Sequence, residues 1–271
     1  MPELPEVEDA RRKLTRWTKG ATIVSARAFD HVIMRPRKPA TLANDLRGHR
    51  IERVERRGKW LRIVLSDGAL LFSHLGMTGD WKRVAPDADV RFERARLDIE
   101  KDGKRSRIAY TDVRKFGRLI FAREDIPSWS SLGPDPLEHR RGTWMAKLLT
   151  EKLGRRGKRS IKEALMDQTV LAGVGNIQAT EALWRAKIDP RSRANALAPK
   201  DVTAVVRALR WTIERTLADL ARKGGGLEDP FVVYGHKGQP CPRCGTTLVR
   251  VMLGGRTTTY CPGCQKRLAR K

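Results

Sequence analysis

The sequence changes character at Leu132-Gly133-Pro134-Asp135-Pro136. Two prolines and a glycine within five residues interrupt both helices and strands, so this segment is predicted to link two domains. The residues before it show the short alternating runs of β-strands, and those after it show the longer periodicity of helices. A chain of 271 residues is long enough for two domains of ordinary size.

The N-terminal part combines one helix with several strands. Residues 6–19 are predicted to form a helix, because apolar residues recur three and four positions apart and Gly20 ends the run. Between residues 21 and 123 the pattern indicates strands, separated by turn sequences such as Ser66-Asp67-Gly68. The six strand segments are residues 22–29, 50–57, 60–66, 69–75, 94–100 and 118–123. Several short strands of this kind favour a β-sandwich or a barrel.

The C-terminal part is predicted to be mainly helical. One apolar stripe ends at Gly224-Gly225-Gly226 and consists of Val202, Val205, Val206, Leu209, Ile213, Leu217 and Leu220. Residues 160–186 are predicted to form two helices joined at Ala172-Gly173-Val174-Gly175-Asn176. The tail is predicted to be a small module that carries all four cysteines of the chain.

The charge balance points to a polyanionic partner. The chain holds 56 Lys and Arg against 31 Asp and Glu, for a formal net charge of +25. Such an excess favours nucleic acid through counterion release. A basic surface that serves only solubility is the alternative, but it would strain the fold by self-repulsion.

Membrane insertion and secretion are not expected. The sequence has no run of about 18 apolar residues, the length of a membrane span. Its first residues are acidic and then basic, without the apolar segment of a signal peptide. We therefore expect a cytoplasmic protein with no membrane partner, and we expect it to be a monomer.

The four cysteines predict one structural zinc ion. They form two Cys-Pro-x-Cys pairs, Cys241 with Cys244 and Cys261 with Cys264, separated by sixteen residues. Two intervening residues let both thiolates of a pair reach one tetrahedral ion, and four thiolates leave no open position for catalysis. The gap suits a β-hairpin with its tip at residues 253–256. Two redox-active pairs are the alternative.

The second residue, Pro2, suggests a covalent chemistry. If Met1 is removed, Pro2 becomes a free secondary amine, and α-amino groups titrate near pH 8, so part of the population is nucleophilic. Such an amine can attack the anomeric carbon of a deoxyribose and form a cationic iminium. Elimination then cuts the strand, and the adjacent Glu3 is placed to act as general acid and base. The ordinary interpretation is an extended segment that leads into a helix.

Taken together, motifs along almost the whole chain resemble the bacterial formamidopyrimidine-DNA glycosylases, a group that includes endonuclease VIII. In order they are MPELPEVE, RRGKWL, HLGMTG, DVRKFG, LGPDPL, LAGVGNIQATE, VYGHKGQPCPRCG and GGRTTTYCPGCQ. The resemblance implies a bifunctional glycosylase and abasic-site lyase of DNA base excision repair. It would excise 8-oxoguanine and formamidopyrimidines from double-stranded DNA through a Schiff base and cut the strand by β/δ-elimination.

The resemblance also implies the fold. It is an α+β architecture with an N-terminal β-sandwich flanked by helices and a C-terminal helix-two-turn-helix domain with a four-Cys zinc finger. We expect a catalytic domain over residues 1–131, a linker over 132–137, the helical DNA-binding domain over 138–228 and the zinc module over 229–271. DNA would lie between the two domains, and the protein would associate with the bacterial nucleoid through it.

Carried over by motif, the catalytic residues are Pro2 as nucleophile, Glu3 as acid and base, Glu6 close by, and Lys59. Lys59 lies in Arg57-Gly58-Lys59-Trp60 and matches a hairpin lysine that contacts DNA beside the lesion. Without the resemblance, Lys59 would be taken for a solvated turn residue.

Three residues match the positions that support the gap left by an everted base. Met77 resembles the intercalating residue, and a slim, adaptable side chain suits that task. Arg114 can bond the orphaned base, and Phe116 can wedge beside it. Met77 between glycines would otherwise be taken for a core residue. Together the three favour the formamidopyrimidine type over endonuclease VIII.

Phosphate contacts are expected from His74, Lys162, Asn176 and Arg256. Asn176 follows Gly173-Val174-Gly175, a turn predicted to expose backbone N–H groups at a helix start, where an anion binds well.

Some positions depart from the family pattern. The segment at residues 224–233 is short and acidic where formamidopyrimidine enzymes carry a longer loop, so oxidised pyrimidines or bulkier lesions remain alternative substrates. Gln178 replaces a common tyrosine, and His236 replaces a common arginine. A non-catalytic damaged-DNA-binding protein is a further alternative, which the presence of Pro2, Glu3 and Lys59 disfavours.

Overall fold

The computed structural model describes residues 2–138, 142–157, 159–222 and 231–269. Met1 lies outside this range, and so do residues 224–230 of the segment that departs from the family pattern. These residues include Gly224–Gly226, where the apolar stripe was predicted to end. The chain forms two compact units, unit 1 (Met1–Pro2 and Glu6–Ser130) and unit 2 (Glu3–Pro5 and Ser131–Lys271). The domain boundaries drawn from the sequence stay predictions.

Unit 1 contains most of α1 (Leu4–Thr18), two four-stranded antiparallel sheets and three short helices. The first sheet has the order β1-β6-β7-β5 and the second the order β2-β3-β4-β8. The strands are β1 (Thr22–Ala28), β2 (Ile51–Arg57), β3 (Trp60–Leu65), β4 (Leu70–His74), β5 (Gly79–Val84), β6 (Glu93–Lys101), β7 (Lys104–Asp112) and β8 (Arg118–Ala122). The short helices are α2 (His31–Met34), α3 (Thr41–Leu46) and α4 (Pro127–Ser130).

One hydrophobic core joins the two sheets. Ile23 and Leu97 from the first sheet and Ile63 and Leu71 from the second are each at most 1% exposed and belong to the same cluster. Strands that are apolar on one face must bury that face, and two facing sheets do so. The β-sandwich is therefore confirmed, and the barrel is not formed.

The sequence located six of the eight strands of unit 1 and missed β5 and β7. β5 buries only Gly79 and Trp81, and β7 begins with exposed charged residues, so neither shows a clear apolar alternation. Helix α1 begins at Leu4, earlier than predicted, because a proline such as Pro5 is tolerated in the first helical turn.

Unit 2 is helical and ends in a two-stranded hairpin. Its helices are α5 (Gly142–Gly154), α6 (Ile161–Met166), α7 (Asn176–Arg185) and α8 (Pro199–Arg222), and its strands are β9 (Val249–Leu253) and β10 (Arg256–Tyr260). All seven residues of the predicted apolar stripe are buried on α8. The two predicted helices of residues 160–186 are α6 and α7, while α5 was not predicted.

Within the described residues, no helix is both long enough and apolar enough to span a membrane.

Candidate active site and nucleic-acid interface

Each unit carries part of the predicted site. Unit 1 holds Pro2, Glu6, Lys59, His74, Met77, Arg114 and Phe116. Unit 2 holds Glu3, Lys162, Asn176, Arg256 and the four cysteines.

In unit 2, the Glu3 carboxylate is bound by the start of α7. The side chain is 1% exposed and accepts hydrogen bonds from the backbone N–H groups of Gly175 (3.1 Å), Ile177 (2.9 Å) and Gln178 (3.0 Å). The first N–H groups of a helix have no intrahelical partners, and the helix dipole favours negative charge there. The N–H groups of this turn, which the sequence was expected to expose to a DNA phosphate, are bound by a carboxylate of the same chain.

Glycine is required in the turn that precedes α7. Gly173 has φ +84°, and a Cβ there would lie 2.7 Å from the side chain of Leu4. The Gly173 carbonyl accepts the Leu4 N–H at 3.1 Å. The start of the chain and this turn therefore fit closely, which fixes the backbone on the C-terminal side of Glu3.

Lys162 and Asn176 connect the helices of unit 2 to the zinc hairpin. The Lys162 ammonium is fully buried and donates to Asn176 Oδ1 (2.5 Å) and Thr258 Oγ1 (2.6 Å). Asn176 Nδ2 donates to the Thr257 carbonyl at 3.0 Å. Burial lowers the pKa of Lys162 to about 8, although the Glu3 carboxylate opposes this shift. In this structure Lys162 supports Asn176 from inside the protein, and their phosphate contacts stay predictions.

Arg256 lies at the exposed end of the same hairpin. It begins β10 directly after Gly254 and Gly255, which form the turn with φ +53° and +69°. A Cβ on Gly254 would lie 2.9 Å from Cγ of Glu163, so the tip packs against α6. The hairpin was predicted with its tip at residues 253–256, and the structure confirms it. Arg256 is thus an exposed cation on a rigid turn.

The four cysteines form one metal centre. Their sulfur atoms all lie within 4.8 Å of one another, with Cys241 and Cys264 at 3.9 Å and Cys244 and Cys261 at 3.4 Å. Four thiolates around zinc at about 2.3 Å lie about 3.8 Å apart in a tetrahedron, so the arrangement fits one structural zinc ion.

Two neighbouring N–H donors orient these thiolates. Trp184 Nε1 donates to Cys241 Sγ and Arg243 donates to Cys264 Sγ, both at 3.4 Å. The Arg243 guanidinium also lies 4.0 Å from the Trp184 ring centroid. Hydrogen bonds to the atoms that bind a metal fix the orientation of those ligands. They also attach the zinc module to α7.

In unit 1, Lys59 lies in the tight turn between β2 and β3. Arg57 pairs with Trp60, and Gly58 has φ +57°, which suits a two-residue hairpin turn. Arg56 donates to the Gly58 carbonyl (3.1 Å) and to Glu8 (3.1 Å).

Glu8 is the residue of α1 that holds this hairpin. Burial opposes its ionisation, but hydrogen bonds and charge from Arg11, Arg12 and Arg56 hold its pKa at about 2. The contact of Glu8 with this hairpin was not predicted from the sequence. Its partner on β2 is distant in sequence, so nothing in the local pattern could have identified the contact.

His74 is a hydrogen-bond acceptor at its Nδ1 in this structure. It ends β4, and its ring packs against Trp60 with centroids 4.9 Å apart. Burial, with the nearby charges of Lys59 and Arg118, lowers the pKa of His74 to about 4. Nδ1 accepts the Gly76 N–H at 3.0 Å, which places the ring proton on Nε2. That N–H is the group that can contact a phosphate.

Met77 lies in the wedge loop, residues 75–78 between β4 and β5. Arg114 and Phe116 lie in the gap loop, residues 113–117 between β7 and β8. Met77 is partly exposed, whereas Phe116 is 51% exposed and the Arg114 guanidinium lies 4.8 Å from its ring centroid. The two loops are in direct contact, because a Cβ on Gly76 would lie 2.5 Å from the Phe116 backbone. The structure therefore brings the three predicted residues together.

Known family models match three consecutive parts of the chain. The N-terminal domain model of formamidopyrimidine-DNA glycosylase matches residues 1–119, and the helix-two-turn-helix domain model of that enzyme matches residues 132–227. A zinc-finger model found in these glycosylases and in isoleucyl-tRNA synthetase matches residues 238–267.

Relatives of known name match over the full length. Formamidopyrimidine-DNA glycosylases of Geobacillus kaustophilus and Desulfitobacterium hafniense are 37% and 36% identical, over 98% of this chain and 100% of each relative.

Solved structures with the same fold include two bound to DNA. The Lactococcus lactis enzyme, bound to DNA with an abasic site, matches with a TM-score of 0.84 at 30% identity. MutM, in complex with DNA that contains carbocyclic 8-oxoguanine, matches with a TM-score of 0.86 at 32% identity. Each alignment covers 98% of this chain and 100% of the other. The chain therefore belongs to the formamidopyrimidine-DNA glycosylase family.

Proposed function

We propose that this protein excises oxidised purines, 8-oxoguanine and formamidopyrimidines, from double-stranded DNA and then cleaves the strand at the abasic site. The observation that carries the proposal is the binding of Glu3 by three backbone amides at the start of α7, which fixes the backbone next to Pro2. A nucleophile at the end of a chain is useful only if that end is held in place. The names of the relatives, formamidopyrimidine-DNA glycosylases, and the MutM complex with 8-oxoguanine DNA support the same substrates.

The proposed chemistry begins at the Pro2 amine after removal of Met1. The amine's lone pair forms a bond to C1′ of the damaged nucleotide, and the bond from C1′ to the base breaks, its electron pair leaving with the base, which takes up a proton. The Pro2 nitrogen then gives up its proton and its lone pair forms a second bond to C1′, while the C1′–O4′ bond breaks and O4′ takes up a proton. The product is an open-chain iminium between Pro2 and C1′. Loss of a C2′ proton then expels the 3′ phosphate, and a second elimination removes the 5′ phosphate. Glu3 is proposed as the acid and base of these steps.

The remaining predicted residues bind DNA in this proposal. Lys59 on its hairpin contacts the strand beside the lesion, while His74 and Arg256 contact phosphates. Met77, Arg114 and Phe116 occupy the gap that the everted base leaves. The excess of basic residues supplies affinity that does not depend on sequence. We also infer that the protein acts as a monomer in the bacterial cytoplasm, at the nucleoid.

Borohydride trapping tests this function. The substrates are oligonucleotide duplexes that carry 8-oxoguanine, a formamidopyrimidine, an oxidised pyrimidine or an abasic site. We expect a covalent adduct with the first two and with the abasic site, located at the Pro2 nitrogen by mass spectrometry. Pro2→Gly should abolish the adduct, whereas Pro86→Gly, which changes an exposed proline of the same unit, should retain it.

Two results would contradict the proposal. If a protein whose Met1 is confirmed to be removed forms no adduct, the protein binds damaged DNA without catalysing excision. A preference for the oxidised pyrimidine would assign the second substrate class, as the short segment at residues 224–233 allows.

A further inference from the structure

The wedge loop and the gap loop share one buried carboxylate, that of Asp112 at the end of β7. Asp112 has no exposed surface, and its side chain contacts both loops. Oδ1 accepts the Thr78 hydroxyl (2.5 Å) and the Arg114 N–H (3.2 Å), and Oδ2 accepts the Gly117 N–H (2.8 Å). The Arg114 N–H also lies 3.0 Å from Thr78 Oγ1. Thr78 follows Met77 directly, so a single side chain connects the base of the predicted wedge to the backbone of Arg114 and to that of Gly117, the residue after Phe116.

The gap loop is held in an unusual conformation. Lys115, between Arg114 and Phe116, has φ +57°, a region that costs conformational free energy for a residue with a side chain. Its ammonium forms an ion pair with Asp30 at 2.8 Å. The Asp112 carbonyl accepts Arg94 Nε at 2.8 Å. A strained backbone persists only where its surroundings fix it, and Asp112 provides the contacts at both ends of this loop.

Close packing leaves the two loops little room to move separately. A Cβ on Gly117 would lie 1.8 Å from the Tyr110 hydroxyl and 3.0 Å from Asp112 Oδ2. The Tyr110 hydroxyl donates to the His74 carbonyl at 3.3 Å, one residue before the wedge loop. Glycine at positions 76 and 117 is therefore what allows the two backbones to meet around the carboxylate.

We propose that Asp112 is a positioning residue that makes the wedge loop and the gap loop one mechanical unit, so that Met77, Arg114 and Phe116 enter the DNA duplex together. This inference rests on the proposed function of those three side chains. Opening a base stack costs free energy, and side chains that are already ordered lose less entropy when they fill the gap. Asp112 is fully buried, so it acts through the two loops and not by direct contact with DNA.

The test uses the full-length zinc-bound protein with two pairs of variants. Asp112→Asn retains the size of the side chain but turns one acceptor into a donor that faces a backbone N–H. Thr78→Val removes the hydroxyl at constant shape, and Thr78→Ser retains it. The matched control is Asp98→Asn, which changes a carboxylate on β6 of the same unit that accepts from Ser25 and Arg107.

Two substrates separate positioning from chemistry. Excision of 8-oxoguanine from a duplex requires the stack to be opened, whereas trapping on a single-stranded abasic oligonucleotide does not. We expect Asp112→Asn and Thr78→Val to slow duplex excision about ten- to one-hundredfold, the loss of one hydrogen bond to a charged group. Trapping on the single strand should stay within about twofold of wild type, since an abasic single strand has no stack to open. Thr78→Ser and Asp98→Asn should retain both activities.

Hydrogen exchange gives a readout that needs no activity. In Asp112→Asn, amide exchange should accelerate in residues 76–79 as well as in 113–117, because the coupling is lost on both sides. Acceleration in the gap loop alone, or an equal fall of both activities, would overturn the inference. If wild-type protein forms no adduct at all, the proposed function fails instead, and the exchange data still decide whether the loops are coupled.

Discussion

Replacement of Glu3 by glutamine gives a quantitative test of the anchor at the start of α7. The carboxylate accepts three backbone N–H groups, and the Glu3 side chain is 1% exposed. A glutamine has one carbonyl oxygen, so at least one of the three N–H groups then faces an NH₂ group. The variant therefore loses a hydrogen bond and the negative charge that the helix N-terminus favours.

The magnitude follows from the number of contacts. A hydrogen bond to a charged acceptor contributes about 1.5–3 kcal/mol, and one to a neutral acceptor about 0.5–1.5 kcal/mol. One bond lost and two weakened give a decrease in the free energy of unfolding of about 5 kcal/mol. For a domain of this size, the unfolding midpoint should fall by about 10–20 °C.

Glu181 offers a matched control. It lies on α7 and is 5% exposed, and its carboxylate also accepts three backbone N–H groups, from Val232 (3.0 Å), Val233 (2.9 Å) and Tyr234 (2.8 Å). Glu181→Gln should therefore lose a similar free energy of unfolding in calorimetry. Only Glu3→Gln should also lose borohydride trapping at saturating abasic DNA, because only Glu3 adjoins the nucleophile.

The reasoning fails on a specific result. If Glu3→Gln unfolds at the wild-type temperature and the amides of Ile177 and Gln178 exchange at wild-type rates, the three contacts do not stabilise the start of the chain. If both variants lose trapping equally, the loss reflects stability and not the position of Glu3.

Three further predictions concern other parts of the molecule. Removal of zinc with a chelator should unfold the module that carries Cys241 and abolish DNA binding, because a small metal site supplies the folding energy of its own module. The release of zinc is measured as metal content, and unfolding is measured by the fluorescence of Trp184, which contacts Cys241. The NMR signal of the His74 ring should titrate with a midpoint near pH 4. Since its folded pKa lies below the unfolded value, His74 should lower stability as pH falls from about 6.5 to about 4 and have no effect above that range. Gly117→Ala should lower the unfolding midpoint because its Cβ would overlap the Tyr110 hydroxyl.

Each of these has a contrary outcome. Unchanged Trp184 fluorescence after one equivalent of zinc has been released would show that the module folds without metal. A His74 midpoint near 6.5 would show that the ring is solvated. Gly154→Ala, where a Cβ would meet nothing within 4 Å, is the control for Gly117→Ala, and equal effects of the two would refute the steric argument.

The sequence predicted those features that repeat along the chain. The α8 stripe recurs every three or four residues, and the paired cysteines recur at metal-binding spacing, so both were identified and confirmed. Strands with a single buried aromatic, such as β5 with Trp81, carry too little pattern for recognition.

Contacts between distant residues could not be predicted. Glu3 and Gln178 are far apart in sequence and come into contact only when the chain folds. The pattern of apolar and polar residues does not indicate which anion binds at the start of a helix. The phosphate contact of Lys162 stays a prediction, but its complete burial was not indicated by the sequence, since most lysines are exposed. Asp112 lay within a recognised motif, but its two-loop contact required the sheet register to be known.

The buried triad of Lys162, Asn176 and Thr258 has an evolutionary consequence. Its members come from α6, α7 and β10, and each satisfies a polar atom of another. Loss of the ammonium alone would leave a buried carbonyl and a buried hydroxyl without their donor, which costs more than replacing all three with apolar residues. Substitutions at these three positions should therefore occur together across lineages. A zinc module taken from a relative and joined to this protein should fold only when its residue at position 258 can accept the hydrogen bond from Lys162.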